Sequence, residues 1–315
     1  MDVVLEPRAV IGGGLMGHGI AQVLAKQSSL VWLYDVSSEK LKLSLKRIKA
    51  SLQLLERYDL IDSISSREVL RRISPTTNLE EALHNVSFVV EAAPEKLSLK
   101  QTLFAKIEQF ASADTIIATN SSGLRVRDVS SKLRRLDRVV GSHFFLPAQV
   151  VPLVEVSRGP KTSDKTMRET VALWKACGKE PIRVEHDLPG YIANRLQAAL
   201  VREATSLLGR GIATAEDIDR AVRTGFGLRY LVSGPLEQRD LGGLDLHVDL
   251  STALWPDLNI SSGPHPFVVN MVNEGKLGLK SGEGFINWKG QNPEEVLKAR
   301  TEALIKLMGK IKQSD

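Results

Sequence analysis

The sequence predicts an α/β domain built on a parallel sheet, followed by an all-α domain. Three observations carry that expectation. Short β-branched runs alternate with helical stretches through the first 187 residues, the pattern of strands covered by crossover helices. A glycine-rich segment, 12-GGGLMG-17, stands where the first run ends and the first helix opens. After about residue 188 the strand pattern stops and only helical spacing remains.

In order along the chain, strands are expected at 8-RAVI-11, 30-LVWLYD-35, 87-SFVVE-91, 115-TIIATN-120, 138-RVVGSHF-144, 152-PLVEV-156 and 181-PIRVE-185. Spaced Leu, Ile, Val and Ala predict helices over 15–27, 38–57 and 95–111. Pro189 suits a helix start, and the apolar spacing of 191-YIANRLQAALVREATSLL-208 continues to Gly209 and Gly211. Thr214, with Asp217 three residues on, resembles a capping box and opens a helix over 214–224 that Gly225 closes. Pro235 starts another, and 264–274 forms one ending at Gly275. Leu297, Leu304, Met308 and Ile311 share one face of a last helix. The expected domains are therefore 1–187 and 188–315.

Glycines 12, 14 and 17 form a G-x-G-x-x-G motif. The first permits a tight turn, the second lets backbone approach a pyrophosphate, and the third lets helix and strand pack closely. Together with Leu15 and Met16 between them, they place a helix N-terminus where phosphates can meet free N–H groups. The second strand ends in Asp35, 18 residues after the last glycine, where a carboxylate can accept hydrogen bonds from the adenosine ribose. This context makes the first domain a Rossmann-type dinucleotide-binding fold. Asp35 favours NAD over NADP, because it would repel a 2′-phosphate.

Composition narrows the rest. Hydrophobic content of 43% and charged content of 25% are ordinary for a globular protein in water. A net charge of +5 with only 5% aromatics lacks the footprint of a nucleic-acid binder. No apolar run approaches the roughly 20 residues a membrane helix needs. Cys177, the only cysteine, cannot close an internal disulfide, and the N-terminus resembles neither a signal nor a transit peptide. A cytoplasmic protein with no nucleic-acid or membrane partner is expected. None of the six histidines stands at metal-ligand spacing, so no metal is expected.

His143 differs from the other five in its surroundings. It ends a candidate strand on the side where open α/β sheets bind ligands. Glu155 follows on the next strand, and the proline-bounded turn between can bring the two together. Such a pair is either a packed core contact or a general base with the carboxylate that orients it.

Six segments then resemble, in order over nearly the whole chain, the L-3-hydroxyacyl-CoA dehydrogenase family. They are 88-FVVEAAPEKLSLK-100, 119-TNSSGL-124, 143-HFFLPAQVVPLVEV-156, 188-LPGYIANR-195, 234-GPLEQRDLGGLD-245 and 278-GLKSGEGF-285. The resemblance implies a dinucleotide-binding domain, a helical domain that mediates homodimerisation, and oxidation of the 3-hydroxyl of L-3-hydroxyacyl-CoA with NAD. It also implies roles by position. His143 resembles the family's base, Glu155 its partner, Ser122 the serine that meets the substrate hydroxyl, and Asn194 the asparagine that holds the substrate carbonyl. Glu95, Lys100 and Asn120 match positions lining the NAD groove, and Lys280 a lysine near the cofactor.

One departure bears on substrate. Where the family's motif is H-F-F-N-P, this chain has Leu146 in place of the asparagine. Arg229, in 227-GLRYLVSGPLE-237, could instead pair with a free carboxylate. A short-chain thioester such as 3-hydroxybutyryl-CoA is the first expectation. A free 3-hydroxy acid of the L-gulonate or carnitine type, or a crystallin-like non-catalytic NAD-binding role, is the alternative.

Overall fold

The computed structural model describes residues 5–314, with side chains as far as 310. The first unit runs β1 (Glu6–Ile11), α1 (Gly17–Leu24), β2 (Ser28–Tyr34), α2 (Ser38–Arg57), α3 (Ser63–Arg71), β3 (Ile73–Thr76), α4 (Leu79–Leu83) and β4 (Phe88–Glu91). It continues with α5 (Leu97–Phe110), β5 (Ile116–Thr119), α6 (Val126–Val129), β6 (Val139–Phe144), β7 (Leu153–Arg158), α7 (Asp164–Ala176) and β8 (Glu180–Val184). The eight strands form one sheet in the order β3-β2-β1-β4-β5-β6-β7-β8. Every neighbouring pair is parallel except β6 and β7. The chain reverses its direction of growth between β1 and β4, the switch point at which doubly wound sheets take ligands.

The strands are continuous apolar runs because both faces are covered. Val10, Phe88, Val90 and Val140 pack with α1 and Trp174 of α7 on one face. Ala9, Ile11, Val89 and Ile117 pack with Phe104 and Ile107 of α5 on the other. Each such large side chain taken from water contributes about 1.5–3 kcal/mol.

The second unit holds the rest of α8 (Ala193–Gly209), α9 (Ala215–Thr224), α10 (Phe226–Arg229), α11 (Pro235–Gly242), α12 (Leu244–Leu254), α13 (Pro266–Asn273) and the start of α14 (Pro293–Ser314). Thr214 caps α9 as expected, its hydroxyl accepting the Asp217 N–H at 3.1 Å.

One expectation needs correction. The helix placed at Pro189 begins only at Ala193, because Gly190 and Tyr191 take positive φ angles that no helix can hold. The compact units divide the chain differently from the expected 1–187 and 188–315: the first extends through Asn194, and it also includes the chain from Ala299 on. The physical reason lies in α14, whose Leu304, Ile305 and Met308 pack with Leu55 of α2 and Val150. On the face expected for that helix, Leu297 is 61% exposed, and the side chain of Ile311 lies outside the described residues. Among the described residues, no helix is long and apolar enough to cross a membrane.

Candidate active site and cofactor loop

The C-terminal ends of β1, β4, β5 and β6 lie side by side. The loop after β1 has the shape the glycines require. Gly12 sits at φ +115, where a Cβ would also press within 2.6 Å of the Ala92 carbonyl oxygen. A Cβ on Gly17 would collide with the Gly12 carbonyl. Gly14 has nothing within 4 Å of where its Cβ would be, which leaves its backbone open to a ligand. Helix α1 starts with no side-chain cap and no acid in its first turn, which leaves its positive end open to an anion. The exposed Leu15 and half-buried Met16 complete the turn. His18 steadies it, its Nδ1 donating to the Gly14 carbonyl at 3.0 Å.

Asp35, one residue past β2, accepts the Gly13 N–H at 2.9 Å and the Ser37 N–H at 3.1 Å. Those bonds hold the carboxylate at the mouth of the loop. Each oxygen keeps a lone pair free for a ribose hydroxyl. The pocket fits an NAD dinucleotide on these grounds.

Of the three residues expected to line the groove, the structure treats each differently. Glu95 is half-exposed and accepts the Gly123 N–H at 2.9 Å, the Leu124 N–H at 3.2 Å and the Ser121 hydroxyl. Burial pushes its carboxyl up, but these bonds and Lys100 outweigh that and hold it below the usual range. Asn120 spends its carbonyl on the Phe144 N–H at 2.9 Å, tying the ends of β5 and β6 together. Lys100 does not line the surface. It is buried, its Nζ 2.7 Å from Glu91, 3.1 Å from the Ala93 carbonyl and 3.4 Å from Glu95. Its place is beneath the groove, where it fixes the 91–95 loop.

Beside this groove, β6 and β7 put His143 directly opposite Glu155. The imidazole Nδ1 lies 2.8 Å from Glu155 Oε2. Glu155 Oε1 accepts the N–H groups of Ile192 and Ala193 at 2.9 and 2.8 Å. Burial alone would raise the Glu155 carboxyl, yet the His143 bond and the two amides pull it below its ordinary value. An ionised Glu155 makes Nδ1 the donor and leaves Nε2 with a bare lone pair. An imidazole held in this way can accept a proton at Nε2.

Ser122 lies exposed on the loop after β5, its hydroxyl unengaged among the described residues. Asn194, half-buried, is the second residue of α8. Both share the first unit with His143. Arg229 and Lys280 belong to the second. Arg229 ends α10 and lines a cleft of about 610 Å³ with Leu228, Val232, Gln238 and Leu241. Lys280 lies in a turn beside the Gly278–Glu283 bridge.

Comparison with known proteins decides what this arrangement belongs to. Residues 8–188 match the NAD-binding domain of 3-hydroxyacyl-CoA dehydrogenase, and residues 190–288 match its C-terminal domain. The chain belongs to the 3-hydroxyacyl-CoA dehydrogenase family. The dehydrogenase is 37% identical to the human mitochondrial hydroxyacyl-coenzyme A dehydrogenase, covering 91% of this chain and 92% of that one. It is 31% identical, over 95% of both chains, to the 5-formyl-3-hydroxy-2-methylpyridine 4-carboxylate 5-dehydrogenase of Mesorhizobium japonicum. A crystal structure of an enzyme of that last activity superposes with a TM-score of 0.88 at 28% identity, covering 96% of this chain and 97% of that one. The 3-hydroxybutyryl-CoA dehydrogenase of Escherichia coli K12 superposes at 0.76 with 34% identity, covering 91% of this chain and 60% of that one. The dehydrogenase is thus an NAD-dependent oxidoreductase acting on CH–OH groups.

Two residues escaped sequence reasoning. Glu91 is wholly buried at the end of β4, and its signal was an acid closing an apolar strand with a lysine nine residues on. Tyr191, in the turn before α8, is buried with its ring 5.4 Å from that of His143. Nothing in its sequence context singles it out.

Proposed function

We propose that the dehydrogenase oxidises the 3-hydroxyl of short-chain L-3-hydroxyacyl-CoA, such as 3-hydroxybutyryl-CoA, with His143 as the base. The observation that carries this is the buried His143–Glu155 pair at the sheet edge that also holds the glycine loop. His143 Nε2 takes the hydroxyl proton as the C–H bond at C3 gives up its hydride. Glu155, held ionised, stabilises the imidazolium that results. Ser122 supplies a free hydroxyl to the substrate oxygen, and Asn194 an amide to the carbonyl. NAD, when bound, supplies the hydride acceptor, with Glu95 and Asn120 about it. A base of this kind contributes about 10²–10⁴-fold in rate.

A homodimer through the second unit accompanies this reading. Its support is the unit's exposed apolar side chains, among them Leu236, Leu241, Val248 and Leu254, which a monomer rarely leaves uncovered. A reducing, cytoplasmic setting suits the single buried thiol of Cys177.

A free hydroxy acid is the second reading. The close superposition on a pyridine-carboxylate dehydrogenase favours it, together with the apolar Leu146, 54% exposed one residue beyond Phe145. There Arg229 would hold the carboxylate. NADH production from L-3-hydroxybutyryl-CoA, longer thioesters, L-gulonate and carnitine tests both. We expect the thioester to lead and Arg229→Ala to leave its rate intact. A free acid leading, with Arg229→Ala raising its KM about tenfold or more, would replace the first reading by the second. NADH binding without turnover of any of these would point to a non-catalytic role.

A further inference from the structure

Two positive-φ residues stand side by side before α8: Gly190 at +76° and Tyr191 at +46°. Glycine adopts such angles freely, whereas a tyrosine does so against its own Cβ. What that strain secures is visible on both sides of the residue. On the backbone side, the turn sends the next two amides, of Ile192 and Ala193, to Glu155 Oε1. On the side-chain side, the ring lies 5.4 Å from the His143 imidazole at a tilt of 35°. Its hydroxyl end reaches Gly141, where any Cβ would come within 3.1 Å of it.

Gly141 and His143 are two apart on β6 and so share one face of the sheet, opposite Ser157 and Glu155 of β7. The missing side chain at Gly141 makes the room in which the tyrosine lies. The Tyr191 hydroxyl itself finds no hydrogen-bond partner among the described residues. The ring and the turn, rather than the phenol, make the contacts with the pair.

We propose that Tyr191 is a positioning residue for the reaction. Its left-handed turn fixes the Glu155 carboxylate, and its ring holds the imidazole so that Nε2 keeps one direction. Without the turn, Glu155 loses two of its three donors and is free to rotate. Without the ring, His143 keeps only Phe145, at 4.7 Å, as an aromatic neighbour among the described residues. The proposal rests on His143 being the base.

Initial rates, expressed per NADH-binding site so that unfolded protein does not count, test it on six variants. Tyr191→Ala is expected to lower kcat about ten- to a hundredfold while KM for NAD stays within about twofold. Tyr191→Phe, which keeps ring and turn, is expected to recover most of that loss. Adding Tyr191→Ala to Glu155→Gln should cost little beyond Glu155→Gln alone, because the two act on one pair. A kcat for Tyr191→Ala within about twofold of wild type, or losses that multiply in the double variant, would overturn the proposal. Should Tyr191→Ala not fold, Tyr191→Gly takes the same backbone angles without strain and removes only the ring. Its kcat is expected to fall about tenfold, and an unchanged value removes the ring's role. His143→Ala, run alongside, separates two failures. If it too keeps kcat, the base lies elsewhere; if it alone loses kcat, only the positioning role falls.

Discussion

Three donors decide the protonation state of Glu155, although burial opposes them. His143, Ile192 and Ala193 together hold its carboxyl below the ordinary range. A carboxyl depressed on folding contributes stability that is fully present above its unfolded value of about 4.3. That contribution is lost as pH falls through the lower, folded value. Glu155→Gln should therefore cost about 1–3 kcal/mol at neutral pH, and less as acid protonates the wild-type carboxyl. Denaturant titrations at neutral pH and near pH 3.5 check this, and an equal cost at both would contradict it. The twelve-residue spacing of His143 and Glu155 made this pair legible in the sequence, since a short turn between strands brings such residues face to face. Tyr191 was not legible, because a left-handed turn at a non-glycine residue leaves no pattern. Lys100 was legible as important but misplaced. The resemblance set it at the lining of the groove, and its partner Glu91 draws it inward.

The glycine loop is the element whose sequence and geometry agree most closely. A methyl at Gly17 would run into the Gly12 carbonyl, which cannot yield without moving the loop that leaves β1. Gly17→Ala is accordingly expected to weaken NADH binding about tenfold or more while the protein stays folded, as helix and strand are forced apart. Fluorescence titration with NADH measures it; unaltered affinity would mean that the close packing of β1 and α1 does not shape the site. Seven strands were legible from their apolar runs, but β3, 73-ISPT-76, was not. It is four residues long and holds Pro75, which is tolerated because β3 lies at the edge of the sheet. The start of α8 was placed too early for a related reason. Apolar spacing continues through Tyr191, but helical hydrogen bonding cannot pass two positive φ angles. Helix α7 carried a legible stripe of Met167, Thr170, Leu173 and Trp174 that the strand pattern around it overshadowed.

At the scale of the molecule, two architectures were legible, but not the unit to which the last helix belongs. The change from strand to helix signal marks where the sheet ends, yet a stripe such as Leu304 and Met308 does not say which unit it covers. The end of α14 belongs with Leu55 and Val150 of the first unit. That unit gathers the cofactor loop and the His143–Glu155 pair along one sheet edge from separate strands, β1 on one hand and β6 with β7 on the other. Binding and chemistry should therefore come apart on mutation. The decisive measurement is kcat for NADH formation from L-3-hydroxybutyryl-CoA by wild type and His143→Ala, with NADH affinity taken on the same samples. We expect kcat to fall by at least about a hundredfold while NADH affinity stays near wild type. An unchanged kcat would remove His143 from the mechanism and contradict the assignment of this pair as the catalytic centre.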